Sequence, residues 1–273
     1  MHRLFGQPAT PRSPPALCGV VGIGVEQQLS SPSPPAPPTK FPRTGRILPT
    51  RPLRARMAED AQWVPCARFV AAFQPARLGI RDLGFVYFNA HDDNDLPDVN
   101  ENGYFDAMGL STLRGESWKT LMNSVPDHQP MEMRDKFVYC GLRDFSEVQR
   151  LRVKDVGMDV IWGDATKKVD FKAVLETALD RKDFSPALVH LDLDVLDESL
   201  GNVNDYPSPR GMHEEELVAC LGLVPKKAIP VSLIVCSFDP NTGDGDKIAK
   251  IGIRAITTFL KGMQETGAIS RGK

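Results

Sequence analysis

Two short stretches of this chain concentrate side chains that bind cations. The first, LGFVYFNAHDDND from Leu83 to Asp95, is an apolar run that turns abruptly into Asn89, His91, Asp92, Asp93 and Asp95. The second, HLDLDVLDE from His190 to Glu198, supplies Asp192, Asp194 and Asp197. If both remain extended, residues two apart share a face, which groups Asn89 with His91 and Asp93, and Asp192 with Asp194. Set side by side, the stretches offer a cation one imidazole and three carboxylates. Without a cation such carboxylates repel one another and raise each other's pKa, so a bound metal is the lower-energy arrangement. Carboxylate-rich donors with one imidazole suit Mn or Mg, and Zn is also open. Asp-rich turns also cap helices, and either stretch alone reads that way; their occurrence at two strand ends points to the metal. His190, inside an apolar run, reads as a packed or hydrogen-bonded histidine, and His128 in PDHQP as a solvated one.

Something must hold these side chains at strand ends. Short, continuous runs rich in β-branched and aromatic residues, GFVYFNA (84–90), KFVYCGL (136–142), MDVIWG (158–163), ALVHLDL (187–193) and VSLIVCSF (231–238), have the character of strands covered on both faces. Between them lie helical segments. FKAVLETALDRK (171–182) sets Phe171, Val174, Leu175 and Leu179 on one stripe, HEEELVACLGLV (213–224) begins with acids suited to a helix N-terminus, and 246–263 spaces Ile248, Ile251, Ala255, Ile256 and Phe259 at helical intervals. Gly252 interrupts that last pattern. The alternation predicts an α/β fold, a mainly parallel sheet with helices on both faces. In such sheets ligands bind beyond the carboxyl ends of the strands, where both acidic stretches fall.

The 273 residues carry a formal net charge of −2, which argues for neither nucleic acid nor an anionic membrane as partner and leaves a small-molecule substrate. No apolar run approaches the roughly 20 residues needed to cross a bilayer. Five dispersed cysteines (Cys18, Cys66, Cys140, Cys220, Cys236) read as reduced thiols of an intracellular protein. Residues 1–56, rich in Pro, Ser and Arg with Glu26 as their only acid, are expected to be disordered, with a domain over 57–273. The cytoplasm is the expected location. Mitochondrial targeting is the alternative, since transit peptides are also Arg-rich and acid-poor, although the proline density opposes their amphipathic helix.

NAHDDND followed by NGYFDAMGLSTLRG, then HLDLDVLDE, then CSFDPN ahead of a long terminal helix, resembles the arginase, agmatinase and formiminoglutamase family, the ureohydrolases, from Leu83 to the C-terminus. The resemblance implies a three-layer sandwich and a site of two manganese ions that hydrolyses guanidine or amidine groups. Carried over by position, His91, Asp93, Asp192 and Asp194 fall on metal ligands, with one or two Mn ions expected and Zn or Mg as substitutes. Asn89 falls where the family has a further carboxylate ligand, and an amide oxygen supplies no negative charge and bridges two cations poorly. Asp106 in GYFDAMG takes the place of the proton-shuttling His, and Ser237 in CSFDP that of the guanidinium-binding Glu. The family's GGDH motif upstream of NAHDD has no counterpart. Cys66 lies near its expected spacing, where some relatives carry GGDC, but without that context it reads as a core thiol. The family's N-terminal strands are replaced by the Pro-rich segment, so some strands are expected to be missing, and a trimer or hexamer is implied.

Three readings follow. The first is a metal-dependent hydrolase of linear C–N bonds in guanidine-, amidine- or amide-like substrates, with Asp106 as catalytic proton carrier; arginine itself is disfavoured by Ser237. The second is a catalytically silent metal-binding relative with a degraded dinuclear site. A Zn-dependent deacetylase of related fold would need adjacent histidines, and the chain has no such pair.

Overall fold

The computed structural model describes residues 17–21, 83–100, 106–124, 129–164, 166–182, 184, 186–204, 206–239 and 244–269. Six strands form one sheet: β1 (Leu17–Val21), β2 (Gly84–Phe88), β3 (Phe137–Cys140), β4 (Asp159–Ile161), β5 (Ala187–Asp192) and β6 (Pro230–Phe238), in the spatial order β1-β6-β5-β2-β3-β4. The last five are mutually parallel, and β1 lies antiparallel on β6. The fold is α/β, a mainly parallel sheet with helices on both faces. Each strand expected from the apolar runs is present; four are shorter than expected by one to three residues, and β6 begins one residue earlier. Within residues 1–56, the only described segment is β1, whose backbone joins the sheet edge. The boundary expected at residue 56, Cys66 and His128 lie outside the described residues.

Register explains why the strands are apolar throughout. Tyr139, Tyr87, His190 and Ile234 sit side by side across β3, β2, β5 and β6, so one face carries a polar-tipped aromatic row. Below it Phe85, Phe137 and Leu188 pack with Leu110, Leu113 and Val153, contributed by helices α1 (Gly109–Leu113) and α3 (Glu147–Val156). Between these two helices lies the short α2 (Lys119–Met122). The other face is aliphatic: Val86, Val138, Val189 and Leu191 meet α4 (Phe171–Asp180), α5 (Glu214–Lys227) and α6 (Gly245–Glu265). Fully burying one such side chain contributes about 1.5–3 kcal/mol, so both layers are needed to hold the sheet.

The helices start where the sequence offers caps. Ser146 and Gln149 form a reciprocal capping box at α3, and the Asp170 side chain accepts the Ala173 N–H at 3.0 Å to open α4. Glu214, Glu215 and Glu216 in the first turn of α5 face Lys226 and Lys227 in its last, as the helix dipole favours. Gly252 does not break α6. A methyl group there would lie 3.7 Å from Leu193, which places α6 directly beneath the turn that follows β5.

Candidate metal centre

Both acidic stretches begin where regular pairing ends. Beyond Phe88 the chain leaves the sheet, and Asp93 takes a left-handed backbone (φ 45°); beyond Asp192 it winds into a 3-10 turn, Leu193–Val195. Neither segment stays extended, so simple alternation does not place Asp93 or Asp194. Turns and hydrogen bonds place them instead.

Asp192 caps the 3-10 turn by accepting the Asp194 N–H on Oδ1 at 2.9 Å. That turn sends Asp194 across to the neighbouring strand end. Its Oδ1 accepts the Ala90 N–H at 3.0 Å, and its Oδ2 meets His91 Nδ1 at 2.9 Å. The second ring nitrogen of His91 lies 3.5 Å from Asp144, at the end of β3. Asp93 Oδ2 accepts from the Tyr87 hydroxyl at 2.6 Å and from Asn89 Nδ2 at 2.8 Å, while Asn89 Oδ1 accepts the His91 N–H at 2.8 Å. Thus Asn89, His91, Asp93 and Asp194 form one hydrogen-bonded group at the carboxyl ends of β2 and β5, joined through the Asp194 N–H to Asp192.

A single arginine holds the turn after β5. Arg143 donates to the carbonyls of Asp194, Leu196 and Ser208 at 2.9 Å through Nη2, to Gly141 and Val195 at 3.3 Å through Nη1, and to Pro209 at 2.9 Å through Nε. Gly141 makes room beside it: its φ is 103°, and a β-carbon there would collide with Val195 at 2.5 Å. Asp197 ends the turn, accepting the Ser199 and Gly211 N–H groups at 3.0 Å, a structural role outside the cluster.

Charge is unevenly shared. Burial pushes the Asp192 carboxyl well above the ordinary range, and Asp194 adds to the shift. Burial also opposes the charged form of Asp194, but the His91 ring and the N–H groups that Asp194 accepts hold it below that range. Burial disfavours the His91 imidazolium, yet Asp194, Asp144 and Asp93 outweigh it and push the ring up to about 11. A proton on His91 neutralises Asp194 between two strand ends.

The donor types suit a divalent cation, although among the described residues no three of His91, Asp93, Asp192 and Asp194 bring ligand atoms within 4.8 Å of one another. Three carboxylates and an imidazole form a hard-to-borderline donor set, and a carboxylate oxygen with one hydrogen bond keeps a further lone pair. The Ala90 N–H, the Asp194 N–H and the hydroxyls of Tyr87 and Ser237 orient the acids from behind, as supporting groups do at metal sites. For a second cation the fit is poorer, because the Asn89 amide turns its N–H toward Asp93 and brings no charge.

Three participants escaped the sequence reading. Tyr87 and Asp144 were absent from it, although Tyr87 lies two residues before Asn89 on the same face and Asp144 follows a strand end, the rule that located the others. Cys236 was read only as a thiol. Its Sγ lies 3.4 Å from Asp192 Oδ2 and 3.3 Å from His190 Nε2, and among the described residues only His190, Asp192 and Cys236 bring three such ligand atoms within 4.8 Å of one another. Ser237 donates to Asp192 Oδ2 at 2.6 Å, so it supports an acid. Asp106 opens a 3-10 turn, Asp106–Met108, and its side chain lies outside the described structure.

A model of the arginase family matches residues 69–261. The chain is 25% identical over 178 residues to an arginase of Entamoeba histolytica, covering 64% of this chain and 57% of that one. It is 29% identical over 150 residues to an N(omega)-hydroxy-L-arginine amidinohydrolase of Streptomyces lavendulae, covering 54% and 49%. It spans about half the length of these curated relatives. A crystal structure of an arginase from Bacillus subtilis superposes with a TM-score of 0.62 at 18% identity, covering 78% of this chain and 81% of that one. Proclavaminate amidino hydrolase from Streptomyces clavuligerus gives 0.53 at 21% identity, covering 73% and 61%, and at these identities the likeness is one of fold. Among the described residues no helix is long and apolar enough to cross a membrane.

Proposed function

This chain belongs to the arginase family, and from that premise we propose that it is a metal-dependent hydrolase of carbon–nitrogen bonds in guanidino or amidino compounds. The observation that carries the reading is the contact between His91 Nδ1 and Asp194 Oδ2 at 2.9 Å, which joins the two acidic strand ends into one donor group. His91, Asp93, Asp192 and Asp194 would hold the ion, with manganese first and Zn or Mg as substitutes. When bound, the cation supplies Lewis acidity that makes water nucleophilic near neutral pH.

The chain's own groups do the rest. Tyr87 and Asn89 orient the Asp93 carboxylate, Ser237 orients Asp192, and Arg143 holds the turn bearing Asp194. Burial of Asp192 and Asp194 keeps bulk water from competing for them. Asp106 is assigned the proton transfer to the leaving nitrogen. With Ser237 where arginine-hydrolysing relatives carry a glutamate, a guanidinium group loses its charged partner, so smaller or neutral guanidino and amidino compounds are the expected substrates. A small-molecule substrate, the cytoplasm as location and a trimer or hexamer complete the reading.

A second reading, a silent metal-binding relative, is favoured by the Asn89 amide, which donates to Asp93 where the family's dinuclear site has a carboxylate. Metal stoichiometry per chain with turnover on a guanidino and amidino panel separates the two. Bound Mn and release of urea or ammonia support the hydrolase; a metal-loaded chain inert across the panel refutes it.

A further inference from the structure

The end of β6 contributes donors that the proposed manganese centre leaves unused. Cys236 stands in register beside Asp192, and His190 lies two residues before Asp192 on the same face of β5. Tyr87 stacks flat on His190, with centroids 4.1 Å apart and planes 3° from parallel, which sets the plane of the imidazole while its Nε2 meets Cys236. Strand alternation would send Ser237 to the face opposite Cys236. Its left-handed backbone (φ 58°) instead brings both side chains onto Asp192 Oδ2. A non-glycine residue in that conformation is strained, so the convergence is enforced by the surrounding structure.

We propose that His190 Nε2, Asp192 and Cys236 Sγ form a second cation position, for a thiophilic divalent ion of the zinc class, beside the His91, Asp93 and Asp194 group. The spacing matches. Zinc–sulfur bonds of about 2.3 Å and zinc–nitrogen or zinc–oxygen bonds of about 2.0–2.1 Å place tetrahedral neighbours about 3.6 Å apart. The observed separations from Cys236 Sγ are 3.3 Å to His190 and 3.4 Å to Asp192, within a few tenths of an ångström of that value, and all three ligand atoms lie within 4.8 Å of one another. Charge also balances: a dication, a thiolate and a carboxylate sum to zero in a buried setting, with the thiol proton released to solvent and His190 binding through its neutral ring. All three residues are buried. Manganese prefers oxygen donors, so the thiolate makes this position select against the ion expected next door. Three protein donors are also the number found in zinc sites that keep a fourth position open. The inference rests on the same reading of Asp192 as a ligand, but on a different pair of partners.

The test is Co(II) titration of the full chain after chelator treatment. A near-ultraviolet thiolate-to-cobalt charge-transfer absorption that saturates with one thiolate-bound Co(II) per chain, displaced by Zn(II) and not by equal Mn(II), is expected. Cys236→Ser and His190→Gln should each remove that absorption while circular dichroism stays unchanged. If neither variant folds, X-ray absorption of the Zn-loaded parent decides, with one sulfur at about 2.3 Å expected. A bound Co(II) without the absorption, an absorption that survives Cys236→Ser, or a zinc shell of nitrogen and oxygen alone overturns the proposal. A parent that shows the absorption but hydrolyses no guanidino compound refutes the hydrolase and leaves this site standing; Mn-dependent turnover without the absorption does the reverse.

Discussion

The acids after β5 are anchored by backbone N–H groups, beside which the Ser237 and His91 side chains reach Asp192 and Asp194, whereas side chains dominate around the acids after β2. Asp192, Asp194 and Asp197 each accept a backbone N–H, from Asp194, Ala90, and Ser199 and Gly211 respectively. Asp92, Asp93 and Asp95 accept from side chains: Gln149 for the first, Tyr87 and Asn89 for the second, Arg152, Asn100 and Gln149 for the third. Backbone donors are tied to the sheet and its turns, whereas side-chain donors can change rotamer. The β2 end also buries Asp92 Oδ2 and Asn94 Nδ2 without a hydrogen bond. The β5 end is therefore the more fixed half of the acidic group, and the β2 end the half with more freedom to adjust.

The largest effect should come from removing what fixes the β5 end. Arg143→Ala strands several carbonyls around the turn, and loss of a buried charged donor of this kind costs about 3–5 kcal/mol. Arg143→Lys restores the charge but not the planar fork, so it should recover only part. Urea unfolding measures both. A loss as small for Arg143→Ala as for the exposed Arg254→Ala, whose ion pairs with Glu214 and Glu215 lie in solvent, would show that the turn holds itself.

Next is the metal. With free Mn at 100 times its Kd, binding stabilises the native chain by about 2.7 kcal/mol. Asp192→Ala and Asp194→Ala should abolish that gain, read as the loss of the Mn-dependent rise in Tm, and Asp197→Ala should preserve it. Equal Mn responses in the parent and both variants would place the ion elsewhere.

How far these features could be read without coordinates differs between the two ends. The five parallel strands were legible because their apolar runs have no polar face, and the long helices because their stripes repeat at helical intervals. The acids were legible because polar residues at the end of a buried strand are conspicuous. Their geometry was not. Alternation fails at Asp93, Asp194 and Ser237, where the backbone turns, and no local pattern announces a turn made by Asp192 capping its own successor. Arg143 and Asp144 were invisible for another reason: their partners lie about 50 or more residues away along the chain, and only the sheet order brings them together. α3 was not among the expected helices, because its apolar residues share no single stripe: Val148 and Leu151 are exposed, and only Val153 is buried.

A third effect distinguishes the ends through pH. Burial pushes the Asp92 carboxyl up to about 7, with Asp95 adding to the shift and Arg152 and His91 opposing it. Its native pKa lies above its unfolded one, so between roughly pH 4 and 7 the native state binds more protons, and stability falls as pH rises through that window. Asp92→Asn, neutral at every pH, should remove this slope and make the chelator-treated protein more stable than the parent at pH 8 by on the order of 2 kcal/mol. The check is Tm against pH for both. An unchanged slope would mean that Asp92 is ionised and solvated, and that the β2 end is as settled as the β5 end.

The smallest effect concerns Asn89 and is the sharpest test of which half adjusts. Its amide donates to Asp93 Oδ2 at 2.8 Å and accepts the His91 N–H at 2.8 Å. Asn89→Asp keeps the acceptor but turns the donor into a second carboxylate oxygen facing Asp93. In chelator the two acids repel, with position 89 buried, and the variant should be less stable than the parent. With Mn present the sign should reverse. Two divalent ions roughly 3.5–4 Å apart repel strongly, and a new anionic ligand offsets that repulsion, so elemental analysis should find about one Mn per parent chain and more in the variant. The β5 half supplies fixed ligands in both proteins, and any gain must come from the β2 end. Should the parent already hold two Mn ions and Asn89→Asp alter neither occupancy nor Tm, the amide is no obstacle to a dinuclear centre, and the hydrolase reading gains on the silent one.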